Sequence, residues 1–169
     1  MVAVVHQNKL FVANAGDCKG VLLSKQEDGK LIPKNVSKTF SANKKYEQER
    51  LKRQFPNEKN IYVCKDHNPK ACYVKGGLMP SRSIGDFRLK YKEFNFHNFS
   101  REQGYRIPIP DYTGPYITHE PDVQVFDLTP ADKWLILATD GLWDEVSRKQ
   151  AARVVENIDY TKSSDDEGR

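Results

Sequence analysis

The chain has 169 residues, 38% of them hydrophobic and 30% charged, with a formal net charge of +4. That is enough length and apolar content for one soluble domain with a real core. No apolar run approaches the roughly 20 residues of a membrane-spanning helix, the segment from Met1 to Val5 lacks the basic head of a secretory signal, and no interleaving of aromatic and basic residues points to nucleic acid.

Residues 2–5 and 9–14 are apolar or alternating, and Gln7-Asn8 between them predicts a hairpin. Gly16 and Asp17 break the second strand, and Gly20 to Ser24 resumes as a third. A turn over Glu27 to Lys30 leads to Leu31 and Ile32, and an antiparallel meander is the simplest pairing. Between Ser41 and Phe55 the residues Tyr46, Arg50, Leu51 and Phe55 fall near helical spacing, Ser41 and Asn43 are candidate caps, and Pro56 ends the run. Short strands follow at 61–64 and 71–74. Residues 93–116 are rich in Phe, Tyr, Pro, Asn and Gly, stiffened by Pro108, Pro110 and Pro115, and predict a short helix followed by a lid or flap. Strands at 123–128 and 132–138 precede a helix over 145–158, with Val146, Ala151, Val154, Val155 and Ile158 on its apolar face. The polar tail, 161–169, is expected to be disordered. There is no internal repeat.

Cys18, Cys64 and Cys72 are too few and too irregular for a disulfide framework, and the odd count suits a reducing compartment. Cys64, His67 and Cys72 fit no standard zinc spacing. The Lys/Arg clusters Lys44-Lys45, Arg50-Lys52-Arg53 and Arg88-Lys90-Lys92 suit anionic partners such as phosphorylated proteins. Solvated faces explain them too.

The most informative stretch runs from Ala138 to Asp144. An apolar strand delivers Asp140 and Asp144, four residues apart, to its C-terminal end, and Gly141 allows a sharp turn between them. Clustered carboxylates repel unless a cation or proton sits among them, and hard oxygen ligands suit Mg2+ or Mn2+ better than zinc. The competing reading is an Asp-Gly turn, with Asp144 capping the next helix.

Three motifs occur in order: Ala13-Asn14-Ala15-Gly16-Asp17-Cys18-Lys19-Gly20, Ser81-Arg82-Ser83-Ile84-Gly85-Asp86, and Ala138-Thr139-Asp140-Gly141-Leu142-Trp143-Asp144. Together they resemble the metal-dependent type-2C serine/threonine protein phosphatases, the PPM family, from about residue 2 to about residue 158. Gly77 to Pro80, Pro115 to Ile117 with Glu120-Pro121, and Ala138 to Trp143 look most like the pyruvate dehydrogenase phosphatase branch. The resemblance implies an α+β fold, part of a four-layer α-β-β-α sandwich with two antiparallel sheets. It implies a partial phosphatase domain over 1–160, with 87–116 as a flap-like insertion. It also implies hydrolysis of phosphoserine and phosphothreonine in proteins by a metal-bridging water, with Mg2+ or Mn2+ as cofactor and no covalent intermediate.

Residue by residue, Asp140 matches the family's metal-bridging aspartate, and Asp144 and Asp17 match the pair that helps hold a weaker third metal. Asp17 as a simple turn residue is the alternative. Arg82, Arg88 and Lys90 are candidate substrate-binding residues, with Lys92 beside them. A structural role for Ser81 to Asp86 competes: Gly85-Asp86 turning before a helix, and Arg82 satisfying a carboxylate. Trp143 reads as core or as a wall of the site.

The family's upstream Asp-Gly-His-Gly motif and downstream Asp-Asn motif have no counterpart in these residues, and Thr39-Phe40 replaces the usual Asp-His pair. The expectation is therefore an incomplete paired-metal site, with no catalytic group beyond the metal ligands, and little or no activity from this chain alone. A catalytically dead phosphoprotein-binding or regulatory scaffold is the alternative, and an unrelated β-sandwich binding module a more remote one. The expected partner is a phosphorylated protein, with neither nucleic acid nor membrane, in an intracellular setting, cytoplasmic or mitochondrial.

Overall fold

The computed structural model describes residues 1–65, 68–97 and 107–158. They fall into two compact units. The first comprises residues 1–14, 18–38 and those from 122 on, and the second comprises 15–17 and 39–121. The predicted disordered tail lies outside the described residues.

In the first unit, β1 (Val2–His6) and β2 (Lys9–Asn14) form the predicted hairpin. Gln7 and Asn8 both take positive φ, 47° and 59°, the conformation whose twist matches the flanking strands. β3 (Lys19–Lys25) and β4 (Leu31–Asn35) form a second hairpin. The predicted meander does not form, because β2 pairs with β7 (Asp122–Asp127) and β3 with β8 (Asp132–Ala138). Two three-stranded antiparallel sheets result, ordered β1-β2-β7 and β4-β3-β8. Asn14 holds the switch between them. It is 1% exposed, and its Nδ2 donates to the carbonyls of Cys18 (3.0 Å) and Lys38 (2.8 Å). Those bonds carry the chain out of the first sheet where a tight turn would have kept it in.

The sheets stack as a sandwich. Leu10, Val12, Ala3 and Phe126 of one meet Leu22 and Leu135 of the other, with Val36 beside them. On the second sheet's other face, Val21, Leu23, Leu31, Trp134 and Ile136 pack under Trp143, Ala151, Ala152 and Val155. β3 is thus covered on both faces, which explains its unbroken run of apolar residues from Val21 to Leu23. The helices are α2 (Asp140–Trp143) and α3 (Arg148–Glu156). Helix, sheet and sheet make three layers of the expected sandwich. The outer face of the first sheet exposes Val2, Val4, Val123 and Val125, with no covering helix among the described residues.

Two local expectations are corrected here. Asp144 ends α2 and does not cap α3. Ser147 caps α3, in a reciprocal box with Gln150. The buried stripe of α3 runs through Ala151, Ala152 and Val155, while Val154 and Ile158 face solvent, because the helix starts at Arg148 and this sets which side meets the sheet.

In the second unit, α1 (Lys45–Gln54) buries Leu51 and Glu47. Neither Ser41 nor Asn43 caps it. The N-cap is Lys44, with no side-chain bond, while Asn43 Oδ1 accepts from the backbone N–H of Cys72 at 2.7 Å. β5 (Tyr62–Lys65) and β6 (Asn68–Val74) form a hairpin whose register sets Cys64 opposite Cys72. The two cysteines form a disulfide, against the expectation of free thiols. Register decides this, and an eight-residue spacing does not reveal it. Sulfurs bonded to each other cannot supply thiolates to zinc; His67 lies outside the described residues. The core gathers Leu51, Ile61, Val74, Leu89, Tyr116 and Ile117. A single 3-10 turn, Lys92–Phe94, stands where the short helix of 93–116 is predicted to begin, and another, Phe87–Leu89, follows the Gly85-Asp86 turn. Residues 98–106 of that flap lie outside the described residues.

Candidate functional site

β8 ends at Ala138, and α2 starts two residues later at Asp140. Trp143 ties this turn down. The residue is 9% exposed and its Nε1 donates to the carbonyls of Lys19 (3.0 Å) and Ala138 (3.2 Å). Trp143 is therefore core, as one of its two readings expected. Asp140 and Asp144 are both exposed, one helical turn apart, with the Asp144 N–H donating to the Asp140 carbonyl at 2.8 Å. That spacing sets two side chains on one side of a helix. Gly141 needs no special backbone here. Its φ is not positive, and an added Cβ would meet only Thr139 Oγ1, at 3.6 Å.

Asp17 belongs to the second unit. The Gly16 carbonyl accepts from the Phe40 N–H at 2.9 Å, and a Cβ on Gly16 would sit 3.6 Å from the Arg82 carbonyl. The turn presenting Asp17 thus lies against the Arg82 segment. Among the described residues, no three side chains of His, Cys, Asp or Glu gather as a metal cage. The carboxylates offer the right kind of donor for a hard dication, but fewer than the six oxygens Mg2+ takes.

The segment from Ser81 to Asp86 is held on several sides. Ser81 is fully buried, and its hydroxyl donates to Glu47 Oε2 at 2.5 Å. Arg50 reaches the same carboxylate oxygen through Nε (3.0 Å) and Nη2 (2.9 Å). Gly85 and Asp86 take positive φ, 91° and 50°, just before the first 3-10 turn, as the structural reading of this motif predicted. Among the described residues, Arg82 does not satisfy a carboxylate. Its Nη1 donates to the Glu120 backbone carbonyl at 2.8 Å, and its guanidinium lies 3.8 Å from the Phe40 ring centroid.

The three candidate substrate-binding cations separate. Arg82 and Lys90 line one cavity of about 370 Å³, together with Arg50, Thr118, His119 and Glu120. Arg88 lines another, of about 770 Å³, and donates to the Ile107 carbonyl at 2.6 Å. Lys92 sits exposed on the second 3-10 turn. For Arg50 the sequence left both an anionic partner and a solvated face open, and it did not mark His119 or Glu47. The Glu47–Arg50 spacing of three was a usable signal for the ion pair. Nothing local marks His119.

The family described as protein phosphatase 2C matches residues 1–166, and that family is metal-dependent. A probable protein phosphatase 2C 36 from Oryza sativa subsp. japonica is 35% identical over 93% of this chain and 39% of its own length. The mitochondrial [pyruvate dehydrogenase [acetyl-transferring]]-phosphatase 1 of Bos taurus is also 35% identical, over 91% of this chain and 29% of its own length. The chain therefore spans well under half the length of these relatives. Among solved structures, a serine-threonine phosphatase 2C from Toxoplasma gondii superposes over 99% of this chain and 46% of its own, with a TM-score of 0.56 and 22% identity. At that identity the likeness speaks for the fold alone.

Proposed function

The chain belongs to the protein phosphatase 2C family, and from that premise we propose that it forms part of an enzyme hydrolysing phosphoserine and phosphothreonine in proteins with Mg2+ or Mn2+. The observation that carries the reading is the pair Asp140 and Asp144, exposed one turn apart at the end of β8 and held there by Trp143. Paired dications, when bound, neutralise phosphoryl charge and acidify a water. The chain's own part is to hold Asp140 and Asp144 as hard anionic donors on a rigid turn, to add Asp17 from the second unit, and to offer Arg82 and Lys90 to an anionic substrate. Its partner is a phosphorylated protein. The domain is proposed to run over 1–160, with 87–116 as its substrate-tuning flap, in a cytoplasmic or mitochondrial setting.

The lack of a three-ligand cluster among the described residues favours a second reading, in which the chain acts as a phosphoprotein-binding or regulatory scaffold. Mn2+ binding measured by calorimetry, with turnover of a phosphoserine peptide in millimolar Mn2+, separates the two. The enzyme reading expects Mn2+ binding that Asp140→Asn and Asp144→Asn each weaken at least tenfold, about 1.4 kcal/mol. It also expects turnover of the chain alone to fall at least about a hundredfold below a full-length relative, since each missing electrostatic contact costs on that order. Mn2+ affinity indifferent to both substitutions would favour the scaffold. Turnover equal to a full-length relative would overturn the expectation that the chain alone is nearly inactive.

A further inference from the structure

The two outer edges of the β5–β6 hairpin differ. The Lys75 N–H donates to the Ile61 carbonyl at 2.9 Å, and bonded and non-bonded pairs alternate along an antiparallel ladder. Tyr62 with Val74 and Cys64 with Cys72 are therefore the non-bonded pairs, whose backbone groups point away from the opposite strand. On β6 these outward N–H groups are used. Val74 donates to the Leu78 carbonyl at 2.7 Å and Cys72 to Asn43 Oδ1 at 2.7 Å. On β5 the outward groups of Tyr62 and Cys64 meet no partner among the described residues. β5 is thus an open edge, clamped in register by its disulfide to β6.

The surroundings of this edge are cationic. Lys65 is exposed within β5, Lys59 is exposed just before it, and the exposed Lys52 of α1 lies 5.3 Å from the Tyr62 ring centroid. None of the three joins an ion pair among the described residues, and the nearby Glu58 is taken by Lys75 at 2.6 Å. Successive side chains of a strand alternate between faces, so Val63 faces away from Tyr62. On the Val63 side a cavity of about 360 Å³ is walled by Val63, Lys65 and Tyr73, and Val63 is 45% exposed.

We propose that the β5 edge takes an extended acidic segment of a partner protein as a third strand, paired through the backbone groups of Tyr62 and Cys64. In strand addition the main chain supplies affinity and alternate side chains supply selection. A residue seated beside Val63 borders the cavity, which suits an aliphatic side chain. Acidic residues flanking it meet Lys65 on that face and Lys52 on the other. An edge already held extended costs little ordering on binding. The same lysines disfavour a second copy of this chain, because two β5 edges side by side bring like charges together. The surface needs neither metal nor hydrolysis, so it stands or falls apart from the phosphatase reading.

The test titrates the 169-residue chain, free of metal and reductant, with the blocked peptide Glu-Glu-Val-Glu-Glu while backbone amides are followed by NMR. The expected result is saturable shift change over Tyr62 to Lys65 and slower amide exchange at Tyr62 and Cys64. N-methylation of the two Glu residues next to Val removes the peptide's pairing N–H groups and should weaken binding about tenfold. Lys65→Glu should weaken it about fivefold, whereas Lys149→Glu, on α3 of the first unit, should change it less than about twofold. Equal binding of the N-methylated peptide overturns strand pairing. Equal binding of Lys-Lys-Val-Lys-Lys, or affinity indifferent to Lys65→Glu, overturns the acidic occupant. Protection of Tyr62 and Cys64 that grows with chain concentration in the absence of peptide gives the edge to a second copy and overturns the proposal. Absence of saturable change over Tyr62 to Lys65 in the unsubstituted chain overturns the site.

Discussion

The two units are built on different principles. The first is periodic: strands alternate, a sheet faces a sheet, and α3 lies on the second sheet through a stripe set by its Ser147 cap. Among its described residues, the second has a single short hairpin and one ten-residue helix around a core of side chains drawn largely from turns, Leu89, Ile109, Tyr116 and Ile117 among them. Where ladders organise the first unit, side chains organise the second: Glu47 holds Ser81 and Arg50, and Asn43 holds β6. The comparison teaches that regular structure here supports the turn carrying Asp140 and Asp144, while irregular structure shapes the cationic cavity.

The contrast breaks most decisively in the core. Tyr116, 1% exposed and packed edge-on to Tyr112, accepts a hydrogen bond from the Thr113 N–H at 2.9 Å. Tyr116→Ala should cost about 3–5 kcal/mol by removing a large buried ring. Leu23→Ala, at a fully buried position of the first unit, should cost about 2–5 kcal/mol. Hydrogen exchange should show each loss confined to its own unit. Equal loss of protection in both would mean that they open together.

Reduction of the Cys64–Cys72 disulfide should be smaller, about 2 kcal/mol for so short a loop. It should lower protection in β5 and β6 and leave β1–β4 unchanged. An exchange pattern indifferent to reductant would remove the disulfide from the account of this unit's stability. In the first unit, Ser147→Ala removes the capping box and should cost about 1 kcal/mol, seen as a lower midpoint in urea unfolding with an unchanged slope.

Near neutral pH the effect of titration is smallest, and it grows only toward the extremes. Acid does not distinguish the units. In the second, hydrogen bonds from Lys75 and then Thr113 hold Glu58 below the usual carboxylate range. In the first, burial raises Asp132 but the bonds from Ser24 and Thr129 outweigh it. A lowered carboxyl pKa contributes stability above its unfolded value, about 4, and loses it as pH falls through the folded value, so both weaken in acid. Alkali does distinguish them. Burial, then Tyr116 and Glu93, pushes Tyr112 up to about 12. A raised pKa contributes stability that is intact below the unfolded value, about 10, and is lost as pH rises through the folded one. Between those values the second unit should lose stability, and Tyr112→Phe should abolish that loss in pH-dependent unfolding monitored by hydrogen exchange.

Much of the first unit was legible because its signals are local. Gln7-Asn8 marked the hairpin, alternation marked β7, and the run from Trp134 to Ala138 marked β8. In the second, Gly85-Asp86 was legible as a turn for the same reason. The sheet switch at Asn14 was not, because its partner Lys38 is 24 residues away. Nor was the disulfide, because register set Cys64 against Cys72. Of the candidate site, Asp140 and Asp144 could be read from one heptapeptide, whereas Arg50 and His119 emerge only from the cavity they share with Arg82 and Lys90.

The sequence by itself determined which segments are strands and helices, since apolar period and turn chemistry act over a few residues, and through three ordered motifs it pointed to the family. Tertiary structure alone decided which sheet each strand joined, which cysteines met, and which cations came to share a cavity. Those outcomes depend on contacts between residues distant in the chain, and no local pattern encodes the partner.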